Sequence, residues 1–183
     1  MAVALTEELL ALYSGRGAAT YFGEAVTTTE HSLQAAFFAR ASAAPDALVI
    51  AALLHDIGHL IDSAADDIAQ WSEDARHEVS GSRWLAARFG PEVAEPVRLH
   101  VAAKRYLCAT DADFMPRLSA ASMHSLHLQG GPMSSAEVLA FETEPYFRDA
   151  ILLRHCDDRG KVAGLRTPNF AHYGELIELL STA

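Results

Sequence analysis

The chain has 183 residues, enough for one domain with a sizeable core; half of it is apolar, with few aromatics and only seven Pro, a mix that favours helix over sheet. A formal net charge of −10 argues against nucleic acid or an anionic membrane surface as a general partner. Two cysteines, Cys108 and Cys156, match no zinc-ribbon spacing and suit a reduced cytoplasm without a structural disulfide. The N-terminal residues carry acids and lack the basic region of a secretory signal, and no apolar run reaches bilayer-spanning length. The expected location is cytoplasmic.

In chain order, residues 3–13 read as a short amphipathic helix stopped at Ser14-Gly15. A loop with Tyr21-Phe22-Gly23-Glu24 follows, and Thr28 or Thr29 caps a helix running to about Ser42. Pro45 opens a largely apolar helix that carries His55-Asp56 and His59 and ends near Asp62, which sets His55 and His59 on one face, a turn apart. Residues 62–74 hold five acids and Trp71 and read as a loop or short helix. Further helices are expected over 75–89, 92–107, after Pro116 to Leu128, from a capping box at Ser134 and Glu137, from Pro145 through Asp157, and over 170–180. No alternating strand pattern or internal repeat is present. The expectation is one all-α domain over residues 1–183.

The informative chemistry is the run Leu53-Leu54-His55-Asp56-Ile57-Gly58-His59. A neutral nitrogen donor beside an anionic oxygen donor, set in apolar sequence, is costly to bury unless a metal compensates it. Single histidines are mostly ordinary polar residues, but His31, His77, His100 and Asp157 fall on other helices, and helices that each turn a His or carboxylate inward build a two-metal core. Lys104 lies one turn from His100, placed to hold an anionic or hydroxylated substrate over the metals. Tyr21 and Glu24 share a short loop ahead of His31, suited to act as a lid.

The order of His31, His55-Asp56, His77, His100 and Asp157 resembles the HD-domain superfamily, most members of which are phosphohydrolases. The runs Tyr21-Phe-Gly-Glu-Ala-Val, Ala51-Ala-Leu-Leu-His-Asp-Ile-Gly-His, His100-Val-Ala-Ala-Lys-Arg-Tyr-Leu and Gln129-Gly-Gly-Pro-Met narrow the resemblance to its mixed-valent diiron oxygenases that cleave carbon–phosphorus bonds. That resemblance implies an HD-domain helical bundle with a dinuclear core and a lid loop over about residues 15–28. It implies two iron ions, Fe(II) and Fe(III), bridged by Asp56, with His31, His55 and Asp157 on one and His77 and His100 on the other, and O2 as co-substrate. By the same resemblance Tyr21 ligates the substrate-free site, and Glu24 hydrogen-bonds it when closed and then meets the cationic end of the substrate.

A phosphonate needs cations and donors around it, for which His59, Lys104, Arg154, Ser122, Ser125 and Gln129 are the candidates. The expected reaction is O2-dependent cleavage of 1-hydroxy-2-(trimethylammonio)ethylphosphonate to glycine betaine and phosphate, downstream of a phosphonate hydroxylase. Trp71 among acids is the reason to favour a trimethylammonium. The alternatives are the same reaction on 2-amino-1-hydroxyethylphosphonate, giving glycine, and a metal-dependent phosphohydrolase; a metal-dependent sensor without catalysis is the least consistent with this many ligands.

Overall fold

A computed structural model describes residues 4–62, 74 and 76–182. Ten α-helices lie within them, in the order α1 (Leu5–Gly15), α2 (Thr28–Ala41), α3 (Asp46–Leu54), α4 (Ile57–Ile61), α5 (His77–Ala86), α6 (Pro91–Thr110), α7 (Ala120–Leu128), α8 (Ser135–Phe141), α9 (Phe147–Arg159) and α10 (Gly174–Leu180). Among the described residues the only β pairing is two isolated bridges, Thr20 with Thr27 and Phe89 with Ser181. None of their helices is long and apolar enough to cross a membrane.

The centre of the bundle is α3, whose run from Leu48 to Leu54 is buried throughout. It packs against α2, α6 and α9, while α5 packs on α4 and α6. An all-round apolar helix has no solvent face to offer and must be enclosed by its neighbours. The main core gathers Leu9, Tyr13, Ala36, Val49, Ile50, Leu53, Leu85, Val97, Leu153 and Ile177. A smaller cluster of Leu99, Ala103, Phe141 and Ala150 seats α8 against α6 and α9.

The local signals act largely as the sequence implies. Pro91 occupies the first turn of α6, and Ser134 and Glu137 form a reciprocal capping box on α8. The cap of α2 differs from expectation. Thr27, not Thr28 or Thr29, accepts from the amide of Glu30, whose carboxylate returns to the Thr27 amide.

The larger correction concerns the helix expected to carry His55 and His59 together. It ends at Leu54, and a new short helix, α4, begins at Ile57. The break is stabilised from outside the helix: the carbonyl of Ala52 accepts from His55 Nδ1 at 2.8 Å, and that of Leu53 accepts from the Tyr13 hydroxyl at 3.1 Å. Both oxygens belong to the last turn of α3, where carbonyls lack helical partners. Asp56, at φ −98° and ψ 13°, turns the chain before the His59 amide bonds back to its carbonyl. The Trp71 segment lies outside the described residues.

Candidate metal centre

Six donors arrive from five places in the chain: His31 from α2, His55 and Asp56 from the break after α3, His77 from the first residue of α5, His100 from the middle of α6, and Asp157 from the last turns of α9. All are buried, His31 and His55 completely. The two carboxylate oxygens of Asp56 face opposite ways. Oδ2 lies 3.6 Å from His31 Nε2 and 3.4 Å from His55 Nε2, and Oδ1 lies 3.3 Å from His77 Nε2 and 3.8 Å from His100 Nε2. Asp157 Oδ1 completes the first group at 3.4 Å from His31 Nε2. One carboxylate joining two clusters of nitrogen donors is the arrangement a pair of bridged cations requires.

The hydrogen bonds behind the rings test that reading. His31 Nδ1 faces the Gly160 carbonyl at 2.9 Å, His55 Nδ1 that of Ala52 at 2.8 Å, and His100 Nδ1 that of Val97 at 2.7 Å. A carbonyl only accepts, so each Nδ1 carries the proton and each Nε2 of the neutral ring presents a lone pair. The Nε2 atoms of His31 and His55 nevertheless lie 3.1 Å apart. Two lone pairs at that distance repel unless a proton or a metal cation lies between them. Asp157 Oδ1 is buried with no hydrogen-bond partner, a second unmet demand at the same point. The donor set fits a metal pair.

Electrostatics agree. Burial depresses the His55 imidazole, but Asp56 and Asp157 outweigh it and hold its pKa up to about 9, so without a metal the ring takes up a proton in place of the positive charge a metal would supply. Burial likewise works against the charge of Asp56, and the surrounding histidines more than offset it, keeping the carboxyl well below its ordinary range. Burial, with the charges of His77 and His55, takes His100 down to about 3, leaving it neutral as a ligand must be. Arg154, buried beside the centre, is 2.7 Å from Asp157 Oδ2 and also pairs with Asp158.

A cavity of about 40 Å³, room for a few waters, opens beside Asp56, His77, His100 and Asp157. Lys104, Ser122, Ser125, Gln129 and Arg154 line it, so α6, α7 and α9 converge here. Lys104 Nζ donates to Ser125 Oγ at 2.7 Å. Burial, reinforced by the charge of Arg154, lowers its pKa to about 7. Gln129 Oε1 is buried and has no hydrogen-bond partner. His59 also lines the cavity, its ring stacked on His77 at 3.9 Å between centroids. Its ring lies among the donors, since one atom each of Asp56, His59 and His77 fall within 4.8 Å of one another.

The mouth is covered by the loop between Thr20 and Thr27. Tyr21 stacks on His31 at 4.0 Å and donates its hydroxyl to Asp56 Oδ2 at 2.7 Å. Burial and the charges of Asp56 and Asp157 raise the Tyr21 pKa well above its ordinary value. Phe22 sits edge-on to His59. The Glu24 carboxylate faces Lys161 rather than the Tyr21 hydroxyl, with Oε1 3.7 Å from Nζ. Lys161, a residue the sequence motifs do not single out, lines the cavity too. Its only signal was a position four residues beyond Asp157, just past the Gly160 whose carbonyl fixes His31.

A helical core in which one aspartate faces two groups of histidines defines a class of protein whose buried donors could hold metal ions. The chain belongs to the HD-domain family: the HD domain matches residues 28–158. It is 41% identical to the [1-hydroxy-2-(trimethylamino)ethyl]phosphonate dioxygenase (glycine-betaine-forming) of Leisingera caerulea, over 95% of this chain and 89% of that one. It is 46% identical to the hydroxymethylphosphonate dioxygenase of Gimesia maris, over 87% of this chain and 80% of that one.

Proposed function

We propose that the protein is a dioxygenase that cleaves the carbon–phosphorus bond of 1-hydroxy-2-(trimethylammonio)ethylphosphonate, releasing glycine betaine and phosphate. The observation that carries this reading is the cation-lined cavity on the two-sided Asp56 centre, in a chain similar along nearly its whole length to phosphonate dioxygenases. The reaction balances with one dioxygen per turnover: one oxygen atom enters each product, and one proton is released.

His31, His55 and Asp157 would hold one iron, His77 and His100 the other, and Asp56 both. When bound as an Fe(II)/Fe(III) pair, the irons supply the redox chemistry with O2, and the protein supplies binding, orientation and exclusion of water. The hard nitrogen and oxygen donors, with no thiolate among them, suit iron in these states.

The remaining residues act on the substrate. Lys104, set by Ser125, supplies an ammonium to the phosphonate, and Ser122 and Gln129 offer neutral hydrogen bonds from the same wall. Arg154, already balanced by Asp157 and Asp158, holds Asp157 in place more than it adds free charge. A cavity of a few waters is too small for the substrate, so Tyr21 must leave Asp56 to admit it. Phe22 and Glu24 then border the trimethylammonium with an aromatic face and an anion. The enzyme acts in the cytoplasm on the product of an α-hydroxylating phosphonate oxygenase.

The test is phosphate release by iron-loaded protein, in air and without oxygen. The substrates compared are the trimethylammonio, amino and unsubstituted hydroxymethyl phosphonates. Oxygen-dependent release with the trimethylammonio compound preferred is the expected result. Preference for another of the three reassigns the substrate. Turnover of a phosphate ester without oxygen, with none of the three cleaved, would return the chain to the hydrolases.

A further inference from the structure

Among the described residues the loop over the centre is fastened at four points, and three of them touch residues of the centre and its cavity directly: the Tyr21 hydroxyl on Asp56, the Tyr21 ring on His31, and Phe22 on His59. The fourth is of another kind. Lys161 extends from the segment after α9, donates to Ser122 Oγ at 2.9 Å, and is steadied by Ser119 Oγ at 3.5 Å. From that fixed post its ammonium stands 3.7 Å from Glu24 Oε1 and 5.9 Å from the centre of the Tyr21 ring. Glu24 Oε1 is buried and has no hydrogen bond of its own. Among the described residues, the carboxylate at the tip of the loop is held by the charge of Lys161 alone.

The loop itself is a tight turn. The Tyr21 amide donates to Val26 O at 2.8 Å and the Glu24 amide to Tyr21 O at 2.7 Å, with Phe22 and Gly23 both at positive φ. These bonds tie Glu24 to Tyr21 through the backbone, so what holds Glu24 also helps to hold Tyr21. The ammonium that holds it lines the cavity an anion would enter. A phosphonate carries up to two negative charges and is a stronger partner for a lysine than a single carboxylate at 3.7 Å.

We propose that Lys161 is the latch of the Tyr21–Glu24 lid: it holds the lid shut through Glu24 and releases it when the phosphonate takes the ammonium in its place. Glu24 is thereby freed at the moment a cationic substituent arrives, so one ion pair in the resting protein becomes two with substrate. Lys161 is a positioning residue for Tyr21 and a contact for the anion. The substrate half of this inference rests on the phosphonate reading; the resting latch does not.

The experiment is hydrogen exchange of the amides of residues 20–27 in the full, metal-loaded protein, read by mass spectrometry. Lys161→Met and Glu24→Gln should each speed lid exchange about fivefold, the effect of losing one partly buried ion pair. The double variant should be no faster than either single, because both remove the same contact. Lys161→Arg should restore slow exchange, and α2 and α9 should stay unchanged throughout. Saturating methylphosphonate should speed the wild-type lid to the level of Lys161→Met and leave that variant where it is.

Additive effects of the two substitutions, or an unchanged lid in Lys161→Met, would overturn the latch. Equal acceleration in α9, without rescue by arginine, would also overturn it by making Lys161 merely structural. A wild-type lid indifferent to methylphosphonate would overturn its release by the anion. None of these outcomes depends on turnover, so the failure of the proposed reaction in the phosphate assay is separately visible.

Discussion

Gly58 packs so closely on His77 that a Cβ at position 58 would lie 2.0 Å from the His77 carbonyl oxygen. Gly81, one turn into α5, meets the Gly58 amide in the same crossing, with its Cβ position 3.1 Å from that nitrogen. The glycine after the His-Asp pair thus lets α5 approach α4, which brings His77 within 3.3 Å of Asp56. Gly58→Ala must push α5 outward. Overpacking of this kind costs about 1–3 kcal/mol, and a chain this size loses roughly 2–4 °C of Tm per kcal/mol. The expected outcome is a lower Tm by calorimetry and a loss of the metal held by His77 that exceeds the loss at the His31 site. Unchanged metal content and Tm would contradict the role given to this contact.

Asp56 is the one donor that faces both histidine groups. Asp56→Ala should empty both positions, whereas His31→Ala should empty one and weaken the other less. Losing only the partner that orients a ligand typically costs about 10–100-fold in metal affinity, and losing the ligand itself costs at least that. Elemental analysis after dialysis against a weak chelator distinguishes the two patterns. Equal metal loss in both variants would remove the argument for a bridge.

Tyr21 donates to Asp56 in the arrangement seen here, and a phenolate is a hard donor to ferric iron. Tyr21→Phe keeps the stack on His31 but cannot ligate. The iron-loaded variant should lose the phenolate-to-iron absorption band while retaining its iron. An unchanged spectrum would remove the hydroxyl from the metal site.

Lys104, lowered by burial and by Arg154 from 10.5 to about 7, is an ammonium below that pH and a neutral amine above it. The cation that receives the phosphonate is therefore present at low pH and lost as pH rises through about 7; bound anion shifts the loss upward. KM should rise above pH 7 by at most about tenfold per unit, and Lys104→Met should have a high KM with little of that dependence. Lys104→Arg, whose charge does not titrate in this range, should bind evenly across it. For stability the sign is opposite. The unfolded chain keeps its proton up to about 10.4, so between about 7 and 10.4 the unfolded state binds more protons and stability rises with pH on account of this group.

Arg154 is buried between Asp157 and Asp158. Arg154→Met leaves a buried carboxylate without its counter-ion, a change that costs about 3–5 kcal/mol. Thermal unfolding of the metal-free protein should fall accordingly, and metal should recover part of the loss by taking over the charge of Asp157. No fall in Tm would mean that Asp157 is solvated rather than held.

Much of this protein was legible in its sequence, because helices obey local rules. Pro45 marked the start of α3, the Ser134–Glu137 box opened α8, and the apolar run from Leu48 to Leu54 announced a buried helix. The order of His31, His55-Asp56, His77, His100 and Asp157 carried the family, since the donors fall on successive elements and a metal pair would give them a common purpose. What chain spacing cannot carry is a partner far away in sequence. The helix through His55 and His59 is interrupted because Tyr13, forty residues upstream, takes the Leu53 carbonyl and His55 turns back on Ala52. Which ring nitrogen faces the metals is set by carbonyls such as Gly160 O, and the role of Lys161 exists only where α7, α9 and the lid meet. Periodicity and capping determined the helices and the donor types; long-range packing alone decided where the donors converge, how they are protonated and what holds the lid.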